Sequence, residues 1–122
     1  MIANILIALA GLMGAAGVGL AAAAAHVAPG AGVDGAAYLL LFHAVAVLAG
    51  TPSLDKGRLW RPALLLALAG WVLGSALFAT DIALRTLAGH RLFPMAAPSG
   101  GTLLIAGWLA LSAAAIGGMR RR

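Results

Sequence analysis

The sequence predicts an all-α membrane protein, four transmembrane helices in an antiparallel bundle forming one domain over residues 1–122. Three observations predict it. Of the 122 residues, 63% are apolar and 9% are charged, against about half and about a quarter in a soluble domain. Mean hydropathy is +1.05. The apolar residues fall into four long runs, and Pro29, Pro52, Pro62, Pro94 and Pro98 lie between or at the edges of them. Disorder is excluded because disordered chains are polar. The absence of cysteine excludes disulfides, thiol catalysis, iron–sulfur clusters and Cys-type zinc sites.

The first run covers residues 2–25, with Asn4 its one clearly polar member. It lacks a preceding Lys or Arg and is longer than a typical signal-peptide core, so it reads as a retained helix. The second run, residues 35–51, is shorter and contains His43; a re-entrant segment is the alternative to a full span. The third covers residues 62–84, with an extension to Leu87 allowed, and the fourth residues 100–119. A span needs about 20 mostly apolar residues. Pro62 suits the first turn of a helix, and Ser99 reads as an N-cap for the fourth. Ala- and Leu-rich runs of this length without period-2 alternation exclude barrel strands.

Basic residues cluster beside the runs: Lys56, Arg58 and Arg61; Arg85 and Arg91; and Arg120, Arg121 and Arg122. No continuous basic stripe with aromatic readers exists, so nucleic acid is not an expected partner. With four spans both termini share one side. That side carries six of these cations and the other carries two, which predicts cytoplasmic N and C termini.

Small residues recur every fourth position: Gly11, Ala15, Gly19 and Ala23 on the first run, Gly70 and Gly74 on the third, and Ala106, Ala110, Ala114 and Gly118 on the fourth. Such stripes let helix backbones approach closely in lipid. Packing inside one bundle is the favoured reading, and association between copies the other.

Ionisable groups inside spans are functional candidates. His43 lies about nine residues, or roughly 13 Å, inside the second helix. Trp108 and Ser75 fall at a similar depth, so His43 is expected to point inward and bond one of them. Asp81 and Arg85 are spaced for an ion pair. Asp81 is expected at the outer boundary or a turn below it, clamping the helix-start turn Pro98, Ser99, Gly100 and Gly101 through amides that open the fourth helix. The sharper reading is an ion site built from Asp81, Arg85, His26 and Arg91. A bis-histidine haem on His26 and His43 fails on depth. His26, Asp81 and His90 have suitable ligand types but no metal-site spacing, so no metal or cofactor is expected. No catalytic triad, phosphate loop or deep carboxylate pair is present, and enzymatic activity is not expected.

The stretch from Gly74 to Gly101, followed by Gly107 and Trp108, resembles the small integral-membrane family known as domain of unknown function 423, whose members are YgdD-like or transmembrane-protein-256-like. Leu77, Phe78, Gly89, Pro98, Gly100, Gly101, Gly107 and Trp108 match its pattern, while Ala79-Thr80 replaces Ser-Gly and Ala97 replaces a threonine. Phe42, His43 and Ala44 resemble its Tyr-His-Ala segment. Of its Gly-Ala-Phe-Gly-Ala-His ending to the first helix, Ala22, Ala25 and His26 remain. The resemblance implies four transmembrane helices, an inner-membrane location in bacteria and no established activity.

Two function classes follow. One is a structural or accessory membrane bundle that binds copies of itself, partner proteins or lipid. The other is a small transporter or channel with a hydrated path from Asp81 to His43. The absence of a deep carboxylate in any span favours the first.

Overall fold

The computed structural model describes residues 1–121. Among them, four helices carry the fold: α1 (Ile2–His26), α2 (Val33–Gly50), α3 (Arg61–Leu87) and α4 (Ala96–Met119), with a 3-10 turn at Thr51–Leu54 extending α2. Each is long and apolar enough to cross a membrane. The second segment, with its 3-10 turn, runs through 22 residues, about the length of a full span.

Neighbouring helices run antiparallel. The would-be side chain of Gly17 meets Leu41 on α2, that of Gly50 meets Leu68 on α3, and that of Gly74 meets Gly100 and Leu104 on α4. The connections pack back on the helices. Trp60 donates its amide to the Ala114 carbonyl, and Gly118 lies directly against the Arg58 carbonyl. The chain's beginning, the 55–60 connection and the end of α4 therefore share one end of the array.

The backbone contacts run from helix to helix in sequence rather than around a square. A square bundle would place α1 against α4. Here α1 packs on α2 and α4 on α3, α2 joins the two hairpins through α3, and α1 reaches α3 only slightly; the α1 and α4 backbones do not approach each other among the described residues. Val47, Leu64, Leu68 and Trp71 form the main core, with Leu6, Ala10, Leu104 and Ala114 around them. A second cluster joins Met13, Ala36, Leu40, Ala44 and Ala79. Beside it, α1 and α3 diverge and leave an apolar groove of about 670 Å³.

Two helix starts differ from the sequence reading. α2 begins at Val33, after Gly32 in the left-handed conformation at φ 78°. α4 begins at Ala96, so Pro98, Ser99, Gly100 and Gly101 lie inside the helix and Ser99 caps nothing. Pro98 is tolerated as the third helical residue because first-turn amides have no intrahelical acceptor. The preceding residue, Met95, takes φ 69°, a conformation uncommon outside glycine. At its other end α3 continues to Leu87.

The small-residue stripes divide. Gly70 and Gly74 face α4, where Gly107 and Gly100 receive them; a Cβ on Gly100 would lie 2.6 Å from the Gly74 carbonyl oxygen. These glycines close the α3–α4 hairpin. On α4, Ala114 and Gly118 are buried while Ala106 is exposed. On α1, Gly11, Ala15 and Gly19 are all exposed, and a Cβ at Gly11 or Gly19 would meet nothing within 4 Å. The expectation that such stripes serve packing inside one chain fails on α1, whose inward face is Leu6, Ala10, Met13, Gly17 and Ala24.

Candidate functional site

Two polar centres lie within the apolar array. The first is at mid-depth. His43 is buried on α2, and its Nδ1 lies 2.7 Å from the Leu39 carbonyl one turn earlier. Its Nε2 lies 3.1 Å from Trp108 Nε1 on α4. An indole nitrogen can only donate and a carbonyl can only accept. These partners assign the Nδ1–H tautomer, with Nε2 accepting. Both ring nitrogens are thereby occupied.

Trp71 completes this centre from α3. Its ring centroid lies 4.5 Å from that of Trp108 and 6.3 Å from that of His43. Gly107 makes room for it, since a Cβ there would stand 2.8 Å from Trp71 Nε1. That nitrogen is buried without an acceptor. Sequence reading missed Trp71, although its place one turn before Ser75 on the same helix puts it on the same face, about 6 Å away along the axis. Ser75 does not bond His43. Its hydroxyl donates to the Trp71 carbonyl, as Thr51 does to Val47, so both hydroxyls are satisfied within their own segment.

The second centre is near the far end of α3. The Asp81 carboxylate is buried, with Arg85 Nη2 3.1 Å from its Oδ2 and the Leu92 amide donating to its Oδ1 at 2.9 Å. The sequence expectation that Asp81 clamps the Pro98–Gly101 segment is corrected. Those residues are already helical, and the carboxylate holds the α3–α4 connection instead. Leu92, whose role comes from its backbone, carried no sequence signal.

Around Asp81 the structure brings together Arg85, Arg91, Met95, Pro98 and Gly101 in a pocket of about 350 Å³. His26 is not part of it. It is exposed at the end of α1 and does not line the pocket. His90 is likewise exposed, with its Nδ1 near the Arg91 carbonyl. Among the described residues, no three metal-ligating side chains converge.

The mid-depth and outer centres are separate. Between them, Gly74 packs against Gly100 and Leu104 at backbone distance. The arrangement ties helices together at one level and fixes a connection at the other. Compared with protein-family models, curated proteins and solved structures, the chain matches none.

Proposed function

We propose that this chain is a structural or accessory component of a membrane, a helical array that associates with copies of itself, with other membrane proteins or with lipid. One observation carries the reading. The buried side chains with ionisable or hydroxyl groups are engaged within the chain: His43 at both nitrogens, Asp81 at both oxygens, Ser75 and Thr51 at their hydroxyls. The face of α1 that carries Gly11, Ala15 and Gly19 is meanwhile open. Groups already bonded at rest favour fixed architecture over chemistry, and close-packing residues left outside favour association.

The resemblance to the domain-of-unknown-function-423 family fits this reading, as does placement in a bacterial inner membrane with both termini cytoplasmic. The terminal arginines, Lys56, Arg58 and Arg61 then face the cytoplasm. A second reading, a small transporter or channel, draws on the polar pocket at Asp81. The glycine-mediated contact between α3 and α4 above His43 weighs against a hydrated path between the two centres.

Native mass spectrometry after gentle extraction from native membranes tests the proposal. A mass at a multiple of the chain, or with a second protein attached, is the expected result. A bare monomer, with ion or solute flux in proteoliposomes that His43→Ala abolishes while assembly and folding persist, would replace the accessory reading with transport.

A further inference from the structure

The outer pocket has a charge pattern that the fold alone does not require. Arg85 is matched by Asp81. Arg91 is exposed, lines the same pocket and, among the described residues, makes no ion pair. Two guanidiniums against one carboxylate leave a surplus positive charge. In the orientation proposed above these two arginines stand on the side where the positive-inside tendency gives no reason for them.

The pocket is also amphipathic. Phe78, Ile82, Met95 and Pro98 provide its apolar wall beside Arg85 and Arg91. The first turn of α4 adds a donor. Ala96 donates its amide to Phe93 and Ser99 to Met95, and Pro98 has no N–H. The amide of Ala97, which also lines the pocket, is left over among the first-turn donors. Helix N-terminal amides favour anions, and arginine's planar fork suits phosphate oxygens.

Depth fixes the setting. Gly74 is the middle residue of α3. Arg85, 11 residues further along, stands about 16 Å from it along the axis, and half the hydrocarbon thickness is about 15 Å. The adjoining connection exposes Leu92, Phe93 and Met95, apolar side chains that belong at a lipid boundary rather than in water. Cationic, apolar and amide groups thus meet at headgroup level.

We infer that the pocket formed by Arg85, Arg91 and the start of α4 binds the phosphate of an anionic amphiphile, with its apolar part against Phe78, Met95 and Pro98. Asp81 holds one edge of the Arg85 guanidinium and orients it; Arg91 supplies the uncompensated charge.

Lipid retention by the purified full-length protein tests this, read by native mass spectrometry with added phosphatidylglycerol. The variants are Arg91→Gln and, at the opposite end, Arg58→Gln. Wild type and Arg58→Gln are expected to retain phosphatidylglycerol equally, with affinity about tenfold lower in Arg91→Gln, the factor that one charge-assisted contact supplies. Thermal unfolding without added lipid is expected to match in all three. Phosphatidylcholine of the same chain length, which carries no net charge, is expected to bind more weakly. Inorganic phosphate serves as a second probe. Arg91-dependent protection by phosphate alone would assign the site to a soluble phosphate compound, and protection by the lipid alone to a headgroup. Equal phosphatidylglycerol retention by wild type and Arg91→Gln, or equal loss in Arg58→Gln, would overturn the inference.

Discussion

Trp108 donates its indole N–H to His43 Nε2 at 3.1 Å, joining α4 to α2, two helices whose backbones do not approach each other among the described residues. Because α3 lies between them, the bond closes a triangle of helices through side chains alone. Interhelical hydrogen bonds in membranes average about 0.6 kcal/mol and reach about 1.7. Trp108→Phe, which keeps an aromatic ring but loses the donor, is expected to destabilise by about 1 kcal/mol within that range. With His43→Phe it should form a cycle in which the double variant loses less than the sum of the singles. Equilibrium unfolding in mixed detergent micelles measures this, and strict additivity would remove His43–Trp108 as a stabilising pair.

Gly100 and Gly101 are adjacent but serve different purposes. A Cβ at Gly100 would stand 2.6 Å from the Gly74 carbonyl oxygen and 2.7 Å from the Phe78 amide nitrogen, while one at Gly101 would meet nothing within 4 Å. Backbone cannot give way as a flexible side chain can. Gly100→Ala is therefore expected to destabilise by about 1–3 kcal/mol, the usual range for overpacking. Gly101→Ala should stay within about 0.5 kcal/mol of wild type. The same unfolding assay separates them. A result in which both variants behave alike would mean that α3 and α4 approach less closely than described.

Asp81 accepts through both oxygens, and its two partners can be removed separately. Asp81→Asn keeps a carbonyl oxygen for the Leu92 amide but gives up the ion pair with Arg85. Arg85 is 36% exposed, so it regains solvation and the loss is modest. Asp81→Ala also abandons the Leu92 amide and with it the side-chain tie that holds the connection to α3. The expected order of stability is wild type, then Asn, then Ala. Proteolysis should begin in the 88–95 connection of the Ala variant. Cleavage there at the wild-type rate would show that the carboxylate does not hold this connection.

How much of this was legible in the sequence depended on what lipid hides. The helices were legible because runs near Ile2, Pro62 and Gly101 far exceed what a soluble core tolerates. The depth of His43 and Trp108 was legible from counting residues at a fixed rise. Which helix faces pair was not legible, because in lipid an outward Leu73 and an inward Leu68 have the same chemistry, and no polar face marks the outside. Hence the order of helix contacts is not legible in the runs, and Gly11 and Gly74 look alike although one is free and the other clasped. The start of α4 was obscured by Pro98 and two glycines, residues that usually mark a turn. The Ser99 amide bonded to the Met95 carbonyl shows that the helix begins before them.

The open face of α1 yields the remaining prediction. The chain contains no cysteine, so single cysteines can be introduced without background. Ala15 and Gly11 are exposed on the side of α1 away from its α2-facing residues Ala10 and Gly17. If copies associate through this face, Ala15→Cys and Gly11→Cys should form disulfide dimers in membranes, because small-residue helix contacts bring backbones close enough for a disulfide. Leu66→Cys, exposed on α3, and Ile105→Cys, exposed on α4, should remain monomeric under the same oxidation. Gly11→Leu should then suppress crosslinking at Ala15→Cys without unfolding the chain, since Gly11 is exposed and a Cβ there would meet nothing within 4 Å. Equal crosslinking at all four positions would indicate random collision in the bilayer and would leave α1 facing lipid. Crosslinking confined to α1 but unaffected by Gly11→Leu would place the contact on a different side of that helix, nearer the groove it shares with α3.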